Sequence, residues 1–72
     1  MKCLYINSSG SGYADYVEVD PGTTVNQFFQ HKMSGEKPDN FLIRVNRLPV
    51  PPDQVLQDND RISVVANKIS GA

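Results

Sequence analysis

Two stretches of this chain have a composition that could do chemistry: the glycine-rich SSGSG at 8–12 and the ending NKISGA at 67–72. A glycine-rich loop cradles phosphate when its amides lead into a helix N-terminus, usually with a lysine close behind. Here the alternating run YADYVEVD follows, without a lysine, so SSGSG reads as turn material whose glycines are free to take positive φ. The ending offers something different. Ser70, Gly71 and Ala72 form a slim segment that would present a terminal carboxylate on an unhindered backbone. The remaining candidates offer less. His31 has no second His, Cys or acidic cluster at ligand spacing and reads as a solvated surface histidine. With one histidine and one cysteine, no Ser-His-Asp set, paired-carboxylate site or metal cluster can be assembled. The expectation is a chain with no catalytic residue, no metal and no bound cofactor, working as a carrier or binding protein and not as an enzyme.

Size and charge agree with that. Seventy-two residues make one domain, and a domain of this length buries only about 60% of its unfolded surface. An internal active-site cavity would remove packing that so small a core needs, so a flat surface or a tail is the expected working part. Seven Lys and Arg face eight Asp and Glu, and the basic residues are scattered from Lys2 to Lys68. Phosphate-backbone binding needs a concentrated positive field, which this scatter does not supply, so no nucleic-acid partner is expected. The single cysteine, Cys3, rules out an internal disulfide and points to a reducing compartment. It alternates with apolar neighbours and reads as a packed thiol. No run reaches the ~20 apolar residues of a membrane span, and the N-terminus lacks a signal-peptide core. The cytoplasm is the expected location, with no membrane partner, and the sequon-like NSS at 7–9 is then without meaning.

The elements that must position the tail follow from periodicity. MKCLYIN and YADYVEVD are strands of a hairpin, with Leu4 and Ile6 on one face of the first and Val17 and Val19 inward on the second. DPGTTVNQFFQHKMSG is a helix: Thr23 or Thr24 can cap it, and Val25, Phe28, Phe29 and Met33 make one apolar stripe. Gly35 stops it and Pro38 prevents resumption. FLIRVN is a third strand, and a short fourth lies around Leu48 to Val50. Pro49, Pro51 and Pro52 restrict that fourth strand to a sheet edge. QVLQDND reads as a helical turn followed by a tight turn, and RISVVA as the last strand. First and last strands can then lie parallel at the centre of the sheet. The fold class is α+β, a ubiquitin-like β-grasp with a mixed four- to five-stranded sheet covered by one helix. Residues 1–66 form the domain and 67–72 a flexible C-terminal tail.

The second half of the chain, with Val45-Asn46, Val50, Leu56, Asp58-Asn59-Asp60, Arg61-Ile62 and Lys68 to Ala72, resembles the ThiS/MoaD family of sulfur carriers. VDPGTTVNQFF matches the way β-grasp domains open their helix, so the resemblance covers nearly the whole chain. It implies a partner: an E1-like adenylating enzyme of the ThiF/MoeB type, which uses ATP to activate the terminal carboxylate as an acyl-adenylate. Sulfur transfer then gives a thiocarboxylate for a downstream sulfur-accepting synthase. The modifier branch of the superfamily joins the activated carboxylate to a lysine amine instead. Both chemistries need an end without side chains, because glycine lets the backbone pass a narrow slot and lets a nucleophile reach the carbonyl.

Three positions depart from the family pattern. Asn59 stands where the turn usually has Gly, and Asn tolerates left-handed φ. Arg47 stands in place of a second turn glycine, which predicts a different turn type for that hairpin. Ala72 stands in place of the final Gly, with three explanations: an adapted partner accepts the extra methyl, a peptidase removes it to expose Gly71, or tail chemistry is absent. A carrier takes its specificity from the sheet face that the helix leaves uncovered. Leu42, Arg44, Leu48, Arg61 and Val65 are expected there, beside the base of the tail. The alternative to a sulfur carrier is a β-grasp module that acts by protein contact alone, or a modifier without sulfur chemistry.

Overall fold

The computed structural model describes residues 1–8 and 12–66 of the 72. Ser70, Gly71 and Ala72, and with them the whole tail from 67, lie outside the described residues. Among the described residues five strands and one α-helix are present, in the order β1 (Lys2–Asn7), β2 (Tyr13–Glu18), α1 (Val25–Lys32), β3 (Phe41–Val45), β4 (Leu48–Pro49) and β5 (Arg61–Ala66). They form one mixed sheet in the order β2-β1-β5-β3-β4. β1 and β5 run parallel at its centre, and the other neighbours are antiparallel. This is a ubiquitin-like β-grasp of the α+β class, as the strand and helix order predicted.

The helix is locally well specified. Thr24 is its N-cap, and the Gln27 amide donates to Thr24 Oγ1 at 3.2 Å while the Thr24 amide donates to Gln27 Oε1 at 2.9 Å. This reciprocal pair satisfies two of the donors that a helix start leaves open. At the other end Gly35 takes a φ of +87°, where a side chain would be strained. Eight residues are too few for a helix to be stable alone. Burial of Val25, Phe28 and Phe29 against the sheet supplies the missing stability. The facing strands contribute Cys3, Tyr5, Val45, Ile62 and Val64, and Val19 and Leu56 close the core.

Residues 54–57 differ from the expected helical turn. The Gln54 amide donates to Pro51 O at 3.2 Å, closing a turn at 51–54, and Val55 then bridges to Thr24. The reason lies in the helix start, whose free amides need acceptors. Val25 N donates to Gln54 O and Asn26 N to Pro52 O, both at 2.9 Å, while Leu56 N donates to Thr23 O at 2.8 Å. An extended pass satisfies that N-terminus and drops Leu56 into the core. After the helix, Pro38–Asn40 forms a single 3₁₀ turn into β3.

The β3–β4 loop also corrects an expectation. Asn46 and Arg47 both take positive φ, 54° and 73°, so Arg47 adopts the left-handed region that a turn glycine would occupy and no different turn type is used. Two successive positive φ values match the twist of the flanking strands in a two-residue hairpin. Asn46 holds the loop there: its amide donates to Arg61 O at 2.8 Å and its side-chain oxygen accepts from Arg61 N at 3.1 Å. Asn59, at φ 68°, takes the left-handed turn expected of it.

Candidate functional site: the open sheet face

Strand parity sorts the sheet into two sides. Cys3, Tyr5, Val45, Ile62 and Val64 are buried under the helix, so Leu4, Ile6, Leu42, Arg44, Arg61 and Val65 occupy the side the helix leaves open. Cross-strand register brings these residues together: Leu42 lies opposite Val65, Arg44 opposite Ser63, and Arg61 opposite Leu4. Leu42 and Val65 are 44% and 37% exposed, an apolar pair at the rim of the sheet. Val65 precedes Ala66, the last described residue of β5, so this pair stands at the root of segment 67–72. The face carries Lys2, Arg44 and Arg61 against Glu18. Among the described residues the only ion pair is between the N-terminal ammonium and Glu18, at 3.9 Å. Arg44 and Arg61 make no ion pair among the described residues.

Leu48 does not belong to this group. It pairs with Val45, whose side chain is in the core, so its parity is that of the helix side, at the exposed edge of β4. The two-residue loop sets this: a hairpin with Asn46 and Arg47 at its tip puts Val45 and Leu48 in one row and Arg44 with Pro49 in the next. Leu4, Ile6 and Tyr16 join the open face instead, Tyr16 lying opposite Leu4 and 57% exposed. The signal for them was already in the first strand, where a packed Cys3 forces Leu4 and Ile6 to the opposite side.

One polar cluster fixes the far end of this face. Asp60, 8% exposed, is buried, yet each carboxylate oxygen is satisfied: Asn46 Nδ2 donates to Oδ1 at 3.0 Å and Gln57 N to Oδ2 at 2.7 Å. Asp60 O accepts from Leu4 N at 2.9 Å, and the Lys2 amide donates to Asp58 Oδ1 at 3.0 Å. The β3–β4 loop, the turn before β5 and the start of β1 are thus clipped to one another. From the sequence Asp60 reads only as part of a turn; no periodicity marks a carboxylate that joins its own turn at Gln57 to the β3–β4 loop at Asn46.

Cys3 is fully buried, with its Sγ donating to Gln57 O at 3.4 Å. Loss of solvent pushes its thiol pKa up, and the negative charges of Asp60 and Asp58 add to that rise against an opposing backbone hydrogen bond. The folded pKa is therefore above the unfolded one, and the unfolded chain loses this proton first. The thiol's contribution to stability is intact below the unfolded value and is lost as pH climbs through the folded one. Urea midpoints should fall above about pH 8.5, and Cys3→Ala should lack that part of the fall. Identical pH profiles for the two proteins would contradict the burial.

No helix among the described residues is long and apolar enough to cross a membrane. No protein-family model matches the chain, and no curated protein matches it. Solved structures do. The chain is similar to a ubiquitin-like protein from the hyperthermophilic archaeon Caldiarchaeum subterraneum, at 18% identity and a TM-score of 0.71, over 97% of this chain and 100% of that one. It is likewise similar to Caldiarchaeum subterraneum ubiquitin, at 19% identity and a TM-score of 0.72, over 99% and 98% of the two chains. At such identities the likeness establishes the ubiquitin-like fold.

Proposed function

We propose that this ubiquitin-like chain is a sulfur carrier, activated at its C-terminal carboxylate by an E1-like adenylating enzyme that docks on the open sheet face. The observation that carries the reading is the position of the Leu42–Val65 pair, one residue before β5 ends at Ala66. A partner seated on that pair has the segment from 67 onward within reach of its own nucleotide site. The steps balance simply. A carboxylate oxygen attacks the α-phosphorus of ATP and pyrophosphate leaves; a sulfide-level donor then attacks the carbonyl carbon and AMP departs with that oxygen. The slim Ser70-Gly71-Ala72 end suits both attacks. A downstream synthase that accepts the sulfur is the second partner, and the reducing cytoplasm is the compartment that keeps Cys3 and the thiocarboxylate intact.

Mass spectrometry after incubation with ATP, sulfide and a panel of E1-like enzymes tests this. A mass gain equal to exchanging one oxygen for sulfur is expected; an unchanged mass with every enzyme overturns it. An adduct to a lysine amine would favour the modifier reading, toward which the ubiquitin names of both structural neighbours lean. A chain ending at Ile69 that keeps its partner binding and its activity would favour a module acting by contact alone.

Docking predicts its own variants. Val65→Asp and Leu42→Asp place an unpaired carboxylate at the centre of the contact. Each should lower kcat/KM for adenylation about tenfold or more, since truncating a central contact residue removes on the order of 1–2 kcal/mol. Both positions are exposed, so the thermal midpoint should hardly move. A loss of stability in step with activity would show that these residues serve the fold.

A further inference from the structure

A second surface, unpartnered among the described residues, lies at the opposite side of the sheet from β4, along the edge of β2. Val19 N donates to Met1 O at 2.7 Å and the Met1 ammonium to Val19 O at 2.9 Å, which makes 19 and 1 a hydrogen-bonded pair. Alternation along an antiparallel ladder makes Val17–Cys3, Asp15–Tyr5 and Tyr13–Asn7 the other such pairs. The amides and carbonyls of Ala14, Tyr16 and Glu18 therefore point away from the sheet. The Tyr16 amide is covered by Asp15 Oδ1 at 2.7 Å. Between this edge and α1 runs a groove of about 290 Å³, floored by Val19 and Phe28 and rimmed by Glu18 and Asp20 on one side and His31 and Lys32 on the other.

We propose that β2 accepts an extended segment of a partner protein as a sixth strand, one whose aliphatic residues are interrupted by Lys or Arg placed to meet Asp15 and Glu18. A free strand edge supplies main-chain hydrogen bonds, and a groove beside it supplies a seat for alternate side chains. The charges choose the occupant. Asp15, Glu18 and Asp20 fall within six residues that hold no basic side chain, and the Glu18 side chain is 79% exposed. Antiparallel pairing with a second copy would set these carboxylates against one another, so the edge repels its own kind and attracts a basic strand. Tyr13 and Tyr16, 49% and 57% exposed, favour β-branched neighbours on the incoming strand. A lysine that draws off the Asp15 carboxylate also frees the Tyr16 amide to join the new ladder.

The probe is a blocked hexapeptide, acetyl-Val-Lys-Val-Val-Lys-Val-amide. Laid antiparallel, it sets valines opposite Val19, Val17, Tyr16 and Ala14, and lysines opposite Glu18 and Asp15. The control replaces both lysines with glutamate. In a titration followed by amide NMR, saturable shifts are expected at Ala14, Tyr16 and Glu18, with the glutamate peptide at least about tenfold weaker. Ala14→Pro removes one outward donor without touching the β1 ladder and should abolish the response in a folded protein. Should that variant unfold, Asp15→Lys with Glu18→Lys serves instead and should invert the preference between the peptides. Absence of saturable shifts at these amides, equal response to both peptides, shifts confined to Leu42 and Val65, or a concentration-dependent dimer of the chain alone would each overturn the proposal.

Discussion

Phe29→Ala is expected to bring the protein to its unfolding midpoint or past it at 25 °C in the absence of denaturant. Phe29 is 1% exposed, and its ring lies 5.5 Å from that of Phe41, tilted by 56°. It is the largest fully buried side chain and joins the helix to the β3 half of the sheet. Removing a buried phenylalanine side chain costs about 3–5 kcal/mol, the lost transfer free energy plus the cavity left behind. A domain of this size holds only about 3–5 kcal/mol of net stability from its single core. The two quantities are equal within their range, so one substitution consumes the margin. Far-ultraviolet circular dichroism across a urea series measures it. Phe29→Leu should remain folded with a loss nearer 1.5 kcal/mol or below. If Phe29→Ala lost less than about 1 kcal/mol, the helix would not be packed on the sheet as described.

The next largest effect is expected at Asp60. Replacing it with alanine leaves Asn46 Nδ2 and Gln57 N without their acceptors at a partly buried site. Hydrogen bonds to a charged group contribute about 1.5–3 kcal/mol each and water recovers part of that, so Asp60→Ala should destabilise by roughly 2–4 kcal/mol. Asp60→Asn keeps the shape but turns one acceptor into a donor facing a donor, and should recover little. Asn46→Gly keeps the positive φ while removing the bridge, so a double-mutant cycle with Asp60→Ala isolates the pair. A coupling of about 1 kcal/mol or more is expected, and values within about 0.3 kcal/mol of zero would mean that water satisfies both donors. Hydrogen exchange should quicken at the Leu4, Gln57 and Arg61 amides, the three that the clip holds.

What the residues disclose before any coordinates, and what they withhold, follows one distinction. An element whose own periodicity decides its burial is legible: the Val25–Phe28–Phe29 stripe, the alternation of RISVVA, and the prolines that send β4 to an edge all appear as read. An element whose shape answers another segment is not. Residues 54–57 are extended because the helix start needs their carbonyls, a demand made by Thr23 to Asn26 and invisible within QVLQ itself. Arg47 accepts left-handed φ because Asn46, tied to Arg61 and Asp60, holds the loop. The open face was legible at Leu42, Arg44, Arg61 and Val65, which share a parity along two adjacent strands. Leu48 was misplaced because the length of the turn, and not the strand pattern, decides its side. Leu4, Ile6 and Tyr16 belong to the same face, and a packed Cys3 with an outward Tyr16 marks their side; what the sequence leaves out is the register that sets them beside Arg61.

The parallel pairing of β1 with β5 has a consequence for how the protein is made. Leu4 and Arg61 sit side by side in register although they lie near opposite limits of the domain. A ribosome delivers β1 early and β5 after every strand and the helix that the sheet contains. Until then β1 has only β2 beside it, and an isolated hairpin is marginal in water. The middle of the sheet is vacant, and the apolar side of α1 has half a floor to rest on. Completion is therefore a single late event that waits until β5 has been made and released. Nascent or prematurely terminated chains stay open to proteases, because only a molecule that already owns its β5 can complete the sheet.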